Sequence, residues 1–161
     1  IKAGLAEGET VERVTRTMAA LNRGASEVMQ QVGVNACTDV TGFGLLGHLC
    51  EMIDGMDVGM VIYSSRVPYF PEAEGFAKMG LVPGGTYRNK EFRIGMVDIS
   101  SEIPSHIVDI LFDPQTSGGL LISVPGEKTE ALLEKLRERG VEAALIGEVI
   151  REHPGKIEVR S

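Results

Sequence analysis

Between residues 10 and 21, apolar side chains recur at Val11, Val14, Met18 and Leu21, three and four positions apart. That spacing predicts an amphipathic helix, and Thr10 ahead of it suits an N-cap. A shorter helix is predicted over 26–31, with Ser26 as cap and Gly33 as stop. Residues 34–40 have strand character. From 42 to 53, Phe43, Leu46, Leu49, Cys50 and Ile53 form one stripe, so a helix is expected to open directly out of a glycine turn and to end near Gly55. A strand over 58–63 and a helix over 71–78, with Pro71 in its first turn and Gly80 beyond its end, follow. The run "LVPGGTYRN" (81–89) is expected to break regular structure at Pro83, Gly84 and Gly85. Residues 97–110 are ambiguous apart from a short helix from Ser105, with that serine as its cap. The apolar run 120–124 reads as a strand. Residues 129–138 read as a helix carrying Leu132, Leu133 and Leu136 inward, and strands over 142–150 and 156–159 close the chain. Helices and strands alternating at these lengths predict an α/β fold in which helices cover a sheet.

Composition narrows the class. At 161 residues, with 43% hydrophobic and 24% charged positions, the chain has material for one core and little room for a second domain. Its 23 acidic against 16 basic residues give a net charge of −7, which repels phosphate backbones, so no nucleic-acid partner is expected. A polyphosphate ligand would have to be held locally, with a metal. No apolar run approaches the roughly 20 residues of a membrane span, and the first residues lack the pattern of a secretory signal. A cytoplasmic location is expected. The chain starts at Ile1 rather than methionine, which suggests a piece of a longer polypeptide. Cys37 and Cys50 are too far apart for a C-x-x-C site and lie among apolar neighbours, so both are expected to be reduced structural thiols.

The chemistry-bearing candidates gather in "ACTDVTGFGLLGHLCEM" (36–52). On a strand over 34–40, Asn35, Cys37 and Asp39 share one face and Ala36, Thr38 and Val40 the other. Asp39 then falls near the strand's C-terminal end, where α/β folds place ligands. The helix that follows presents free N–H groups to an anion, and Gly42 and Gly44 permit positive φ and close backbone approach. A carboxylate beside phosphate needs a bridging cation, and Mg²⁺ commonly binds through one or two carboxylates plus phosphate oxygens. Asp39 is therefore open to two readings: a metal ligand, or an acceptor for the turn's own N–H groups that caps the helix. Gly42, Gly44 and Gly47 also spell G-x-G-x-x-G, but the next strand ends in "YSSR" without the acidic residue that holds an NAD ribose. "FDPQTSGGLL" (112–121) has the composition of a turn, and Gln115, Thr116 and Ser117 would suit a polar pocket. In "PGGTYRN", Thr86 suits a cap and Arg88 a phosphate, each against a plain turn reading. His48 is expected to face a helix neighbour. No nucleophile–base triad can be assembled from spacing.

"TDVTGFGLLGHL", "PGGTYRN" and "FDPQTSGGLLISV", in this order and with these gaps, resemble the C-terminal domain of the selenophosphate synthetase family. The likeness covers nearly the whole chain. It implies an α/β domain of the kind found in aminoimidazole ribonucleotide synthetase, formylglycinamidine synthetase, thiamine monophosphate kinase and a hydrogenase maturation factor. It also implies conversion of ATP, selenide and water into selenophosphate, AMP and phosphate. On this resemblance residues 1–161 are a single C-terminal domain. The N-terminal ATP-binding domain would lie outside the chain, carrying the cysteine or selenocysteine nucleophile, the essential lysine and most of the Mg²⁺-binding aspartates. No catalytic residue is expected here, and the domain alone is expected to be inactive. Asp39 resembles a Mg²⁺ ligand reaching across the domain interface, which raises the metal reading above the cap reading. Thr38, Thr41, Gly42 and Gly44 are implied to line the phosphate side. A homodimer is implied, and the competing functions are another ATP-using enzyme of the same superfamily or a non-catalytic binding or dimerisation module.

Overall fold

The computed structural model describes residues 1–161. Along the chain run α1 (Gly8–Ala19), α2 (Arg23–Val32), β1 (Ala36–Asp39), α3 (Gly44–Ile53), β2 (Gly59–Tyr63), α4 (Pro71–Lys78) and α5 (Gly84–Arg93). These are followed by β3 (Val97–Ile99), α6 (Ser105–Leu111), β4 (Leu120–Ser123), α7 (Thr129–Glu138), β5 (Gly147–Ile150) and β6 (Ile157–Arg160). The strands divide into two sheets. A mixed four-stranded sheet has the order β3-β6-β2-β5, with β6 parallel to both its neighbours and β5 antiparallel to β2. The other sheet is a two-stranded antiparallel ladder of β1 and β4.

Side-chain alternation on β4 joins the layers. Leu121 enters the main core with Leu46, Leu49, Cys50 and Ile53 of α3, Val108 and Leu111 of α6, and Met60, Ile62, Val97, Ile157 and Val159 of the four-stranded sheet. Ile122 points the other way, into a smaller cluster of Val28, Leu132 and Leu136 from α2 and α7. β4 thus packs against apolar side chains on both its faces, while the residues of β1 stay half-buried or exposed. No helix is long and apolar enough to cross a membrane.

Several local expectations change in the folded chain. Neither Thr10 nor Ser26 caps a helix: α1 and α2 start earlier, behind Glu7 and Asn22, with no side-chain cap bond. Their first N–H groups need no such bond where water reaches them. Gly33 does end α2, at φ +79° with its N–H on Met29 O. "PGGTYRN" is helical rather than broken. Pro83 takes the extended conformation before α5, and the two glycines occupy the first turn. A Cβ on Gly85 would stand 2.7 Å from Pro114 Cγ, so tertiary contact sets its identity here. Thr86 lies inside the helix and is not its cap. Residues 97–110 resolve into β3 and α6, and α6 follows Pro104 with no side-chain cap from Ser105. The strand predicted over 142–150 is confined to Gly147–Ile150, since the register on β2 ends at Ile62↔Gly147. Phe43, predicted to lie on the buried stripe, is 46% exposed at the mouth of α3.

Candidate functional site

Asp39 is the last residue of β1 and pairs with Leu120. Beyond it the backbone is stitched to the turn before β4: Gly119 O accepts from Val40 N–H (3.0 Å), Gly118 N–H donates to Val40 O (2.9 Å) and Gln115 N–H donates to Thr41 O (2.9 Å). The Asp39 carboxylate itself is exposed and accepts no hydrogen bond within the chain. Phe43 occupies the N-cap of α3 without a side-chain bond, so the capping alternative for Asp39 is not realised. Register places Thr38 on the face of Leu121 and Asp39 on the opposite face, with Leu120.

The turn from 40 to 44 is held on every side. Gly44 has φ +70°, and a Cβ there would lie 2.6–2.9 Å from the carbonyl carbon and oxygen of Phe112 and the oxygen of Asp113. Only glycine combines that φ with that approach. His48, 5% exposed, reaches back from α3: its Nε2 accepts from Thr41 N–H at 3.0 Å and lies 3.1 Å from the Thr41 hydroxyl. The backbone donor assigns the ring proton to Nδ1, which donates to Glu51 Oε2 at 2.9 Å. Helix α5 braces the turn from outside, where Asn89 Nδ2 donates to Gly42 O (2.9 Å) and to Phe112 O (3.1 Å). Thr86, fully buried, donates to Asp113 Oδ1 at 3.3 Å, and Gln115 Nε2 donates to Asp113 Oδ2 at 2.7 Å. Burial pushes the Asp113 carboxyl above its ordinary range, against the pull of these two hydrogen bonds.

The three glycine-bearing segments, distant in sequence, therefore form one structure. Of the residues singled out from sequence, Asp39, Thr41 and Gly42 lie at its open end, whereas Thr38 is on the other face of β1, toward Leu121. Gly44 is buried and shapes the turn through its contact with Phe112. Thr116 and Ser117 are exposed on the neighbouring turn, with Ser117 at φ +55°. Arg88 is exposed on α5 and makes no ion pair. The roles of Asn89, Asp113 and His48 were missed from sequence: Asn89 bonds backbone carbonyls 47 and 23 positions away, Asp113 accepts from Thr86 27 positions away, and His48 reaches back seven positions to Thr41, and none of these pairings leaves a local pattern. Two shallow surface hollows lie elsewhere, lined by Leu133, Arg137 and Leu145 or by Asp98, His153 and Glu158. Asp39 faces open surface.

The donor set bears on a metal. No group of three or more His, Cys, Asp or Glu is arranged to hold one. A single unpartnered carboxylate fits Mg²⁺ that draws its other ligands from phosphate, water and further carboxylates. A complete protein-built cage does not fit. The cysteines are free thiols, and burial raises both, Cys50 to about 11, so neither is an activated nucleophile. The dinucleotide reading fails on topology: β1 and β2 flank the glycine turn and α3 but belong to different sheets, so β1, α3 and β2 do not form a βαβ unit.

A two-sheet α/β domain with its glycine turns locked together in this way is a member of a known class: the chain belongs to the family described as AIR synthase related protein, C-terminal domain, which matches residues 2–160. Within that class, it is 51% identical over 94% of its length to a selenide, water dikinase of Pelobacter propionicus, and covers 44% of that protein. It is 46% identical, over 93% of its length, to selenide, water dikinase 2 of Peptoclostridium acidaminophilum, of which it covers 43%. The chain spans less than half the length of these relatives. Among solved structures, E. coli HypE, a hydrogenase maturation protein, superposes with a TM-score of 0.67 at 21% identity, covering 99% of this chain and 40% of that one. At that identity the likeness establishes the shared fold.

Proposed function

We propose that the chain is the C-terminal domain of a selenide, water dikinase, an enzyme that uses ATP, selenide and water to make selenophosphate, AMP and phosphate. The observation that carries this reading is the 51% identity, over 94% of the chain, to a protein of that name. The bare Asp39 carboxylate supports it, because the chain contributes one ligand and needs the rest from elsewhere. In this reading an N-terminal domain of the same polypeptide supplies the nucleophile, the lysine and further carboxylates. The enzyme acts as a cytoplasmic homodimer.

Bound Mg²⁺ would neutralise charge on the triphosphate as it is broken. This chain's own residues have simpler tasks. Asp39 offers one carboxylate oxygen to the cation and does not act as a base. Thr41 and the exposed Gly42 backbone border the phosphate side, Thr38 supports Asp39 from the opposite face of β1, and the buried Gly44 keeps the turn in register with the one at 112–119.

The test uses the complete gene product and follows selenide-dependent AMP formation from ATP. Asp39→Asn is expected to lower kcat/KM by about a hundredfold or more while moving the Tm by no more than about 3 °C. A variant that melts far earlier yet keeps most of its activity per folded molecule would return Asp39 to a structural role.

A further inference from the structure

Asn89 sits in the second turn of α5, and its side-chain nitrogen has two hydrogens and two acceptors, Gly42 O at 2.9 Å and Phe112 O at 3.1 Å. Both bonds go to backbone carbonyls of other segments. Gly42 belongs to the turn that leaves Asp39, and Phe112 O is also the atom against which the Gly44 backbone packs. One amide therefore ties α5 to the two segments that define the open end of the site.

The fold has other means of holding these elements. Thr86 on Asp113, Lys90 on Asp109 at 3.3 Å and the Gly85–Pro114 contact keep α5 on α6 and the turn behind it. The main core fixes α3. Gly42 is exposed, its missing Cβ would meet only open space, and the Asn89 amide is the donor its carbonyl has. Losing Asn89 would therefore release the Gly42 carbonyl, the point at which α5 holds the tip of the 40–44 turn, while the bonds of Val40, Thr41 and Gly44 keep the rest of the turn and the domain in place.

We propose that Asn89 is a positioning residue: by bonding Gly42 and Phe112 it sets the distance and direction at which the Asp39–Gly44 turn meets the metal–nucleotide complex. The inference rests on the proposed function and deepens it. An aspartate at this position would set a carboxylate against two carbonyls, whereas its protonated form regains one donor.

The experiment uses the complete enzyme with Mn²⁺ and ATP, reading bound Mn²⁺ by electron paramagnetic resonance, steady-state kinetics, and hydrogen exchange at 42–44. Asn89→Ala is expected to weaken Mn²⁺·ATP binding and raise the KM for ATP by about tenfold, the equivalent of one lost brace. It should leave kcat within about twofold, with a Tm shift below about 3 °C and faster exchange at 42–44. Asn89→Asp is expected to be weaker still at neutral pH and, relative to the parent at the same pH, to recover part of its affinity as pH falls toward 5, with its Tm staying within about 3 °C of the parent. Asn89→Ala binding Mn²⁺·ATP like the parent, or a collapse in Tm that tracks the loss of activity, would overturn the proposal. Asp39→Asn, measured alongside, separates the two readings. If it too leaves Mn²⁺·ATP affinity unchanged, the metal reading falls and takes this one with it; if it weakens binding while Asn89→Ala does not, only the role of Asn89 is lost.

Discussion

Gly44 shows how one atom's absence sets a site. Its positive φ costs an alanine about 1–2 kcal/mol, and the added methyl would press into the Phe112–Asp113 backbone, which cannot retreat as a flexible side chain does. Gly44→Ala is expected to lose about 3 kcal/mol in urea unfolding, backbone strain and overpacking together; a loss below about 1 kcal/mol would mean the turn relaxes freely. Asp113 offers a pH test. Its folded-state value is raised by burial, so the stability it contributes is complete below the unfolded value near 4 and is lost as pH rises through the folded one. Asp113→Asn should therefore gain on the parent between pH 4 and 7 in paired denaturation curves. A difference that stays flat with pH would show the carboxyl to be unperturbed. Gly44 was visible in the sequence as a glycine with something to do, but its partner was not, because Phe112 lies 68 positions away.

Among the elements, the strongly patterned ones matched expectation. The α4 and α7 bounds are as predicted, and α3 buries Leu46, Leu49, Cys50 and Ile53 on the expected stripe. Helix α5 was missed because proline followed by two glycines signals a turn, and the signal was outweighed by close packing against Pro114. Helix α1 illustrates the opposite case: its periodicity is clear, yet none of its residues is buried. It is attached to α4 through Arg13 and Thr10 on Glu72, and through Arg13 over the Phe70 ring at 5.3 Å from its centre. Polar attachments of this kind are weak and screened by salt. In the 161-residue chain, hydrogen exchange of α1 is expected to be faster than that of α3 and to rise further at high salt. Protection equal to α3 would place α1 in the cooperative core.

For the whole molecule, the issue is how much of a working site these residues hold. One unpartnered carboxylate and an open turn make part of a metal–nucleotide site, and the chain spans less than half of its relatives. Calorimetry of the 161-residue chain with Mg·ATP is expected to show no binding tighter than about millimolar, the scale of one or two solvent-exposed contacts. Micromolar binding would mean that the site is complete without other residues. The sequence by itself determined the helix and strand periods, the acidic surface, the glycine motifs and, through their order and spacing, the family, because these depend on neighbours within a few positions or on composition. Only the tertiary structure decided that the strands split into two sheets, that Asp39 is left without a partner, and that Asn89 and Asp113 tie α5 to the turns at 40–44 and 112–119. Those outcomes depend on hydrogen bonds and close backbone contacts between segments more than 70 residues apart, such as Val40 with Gly119, and no local pattern encodes which donor will find which carbonyl.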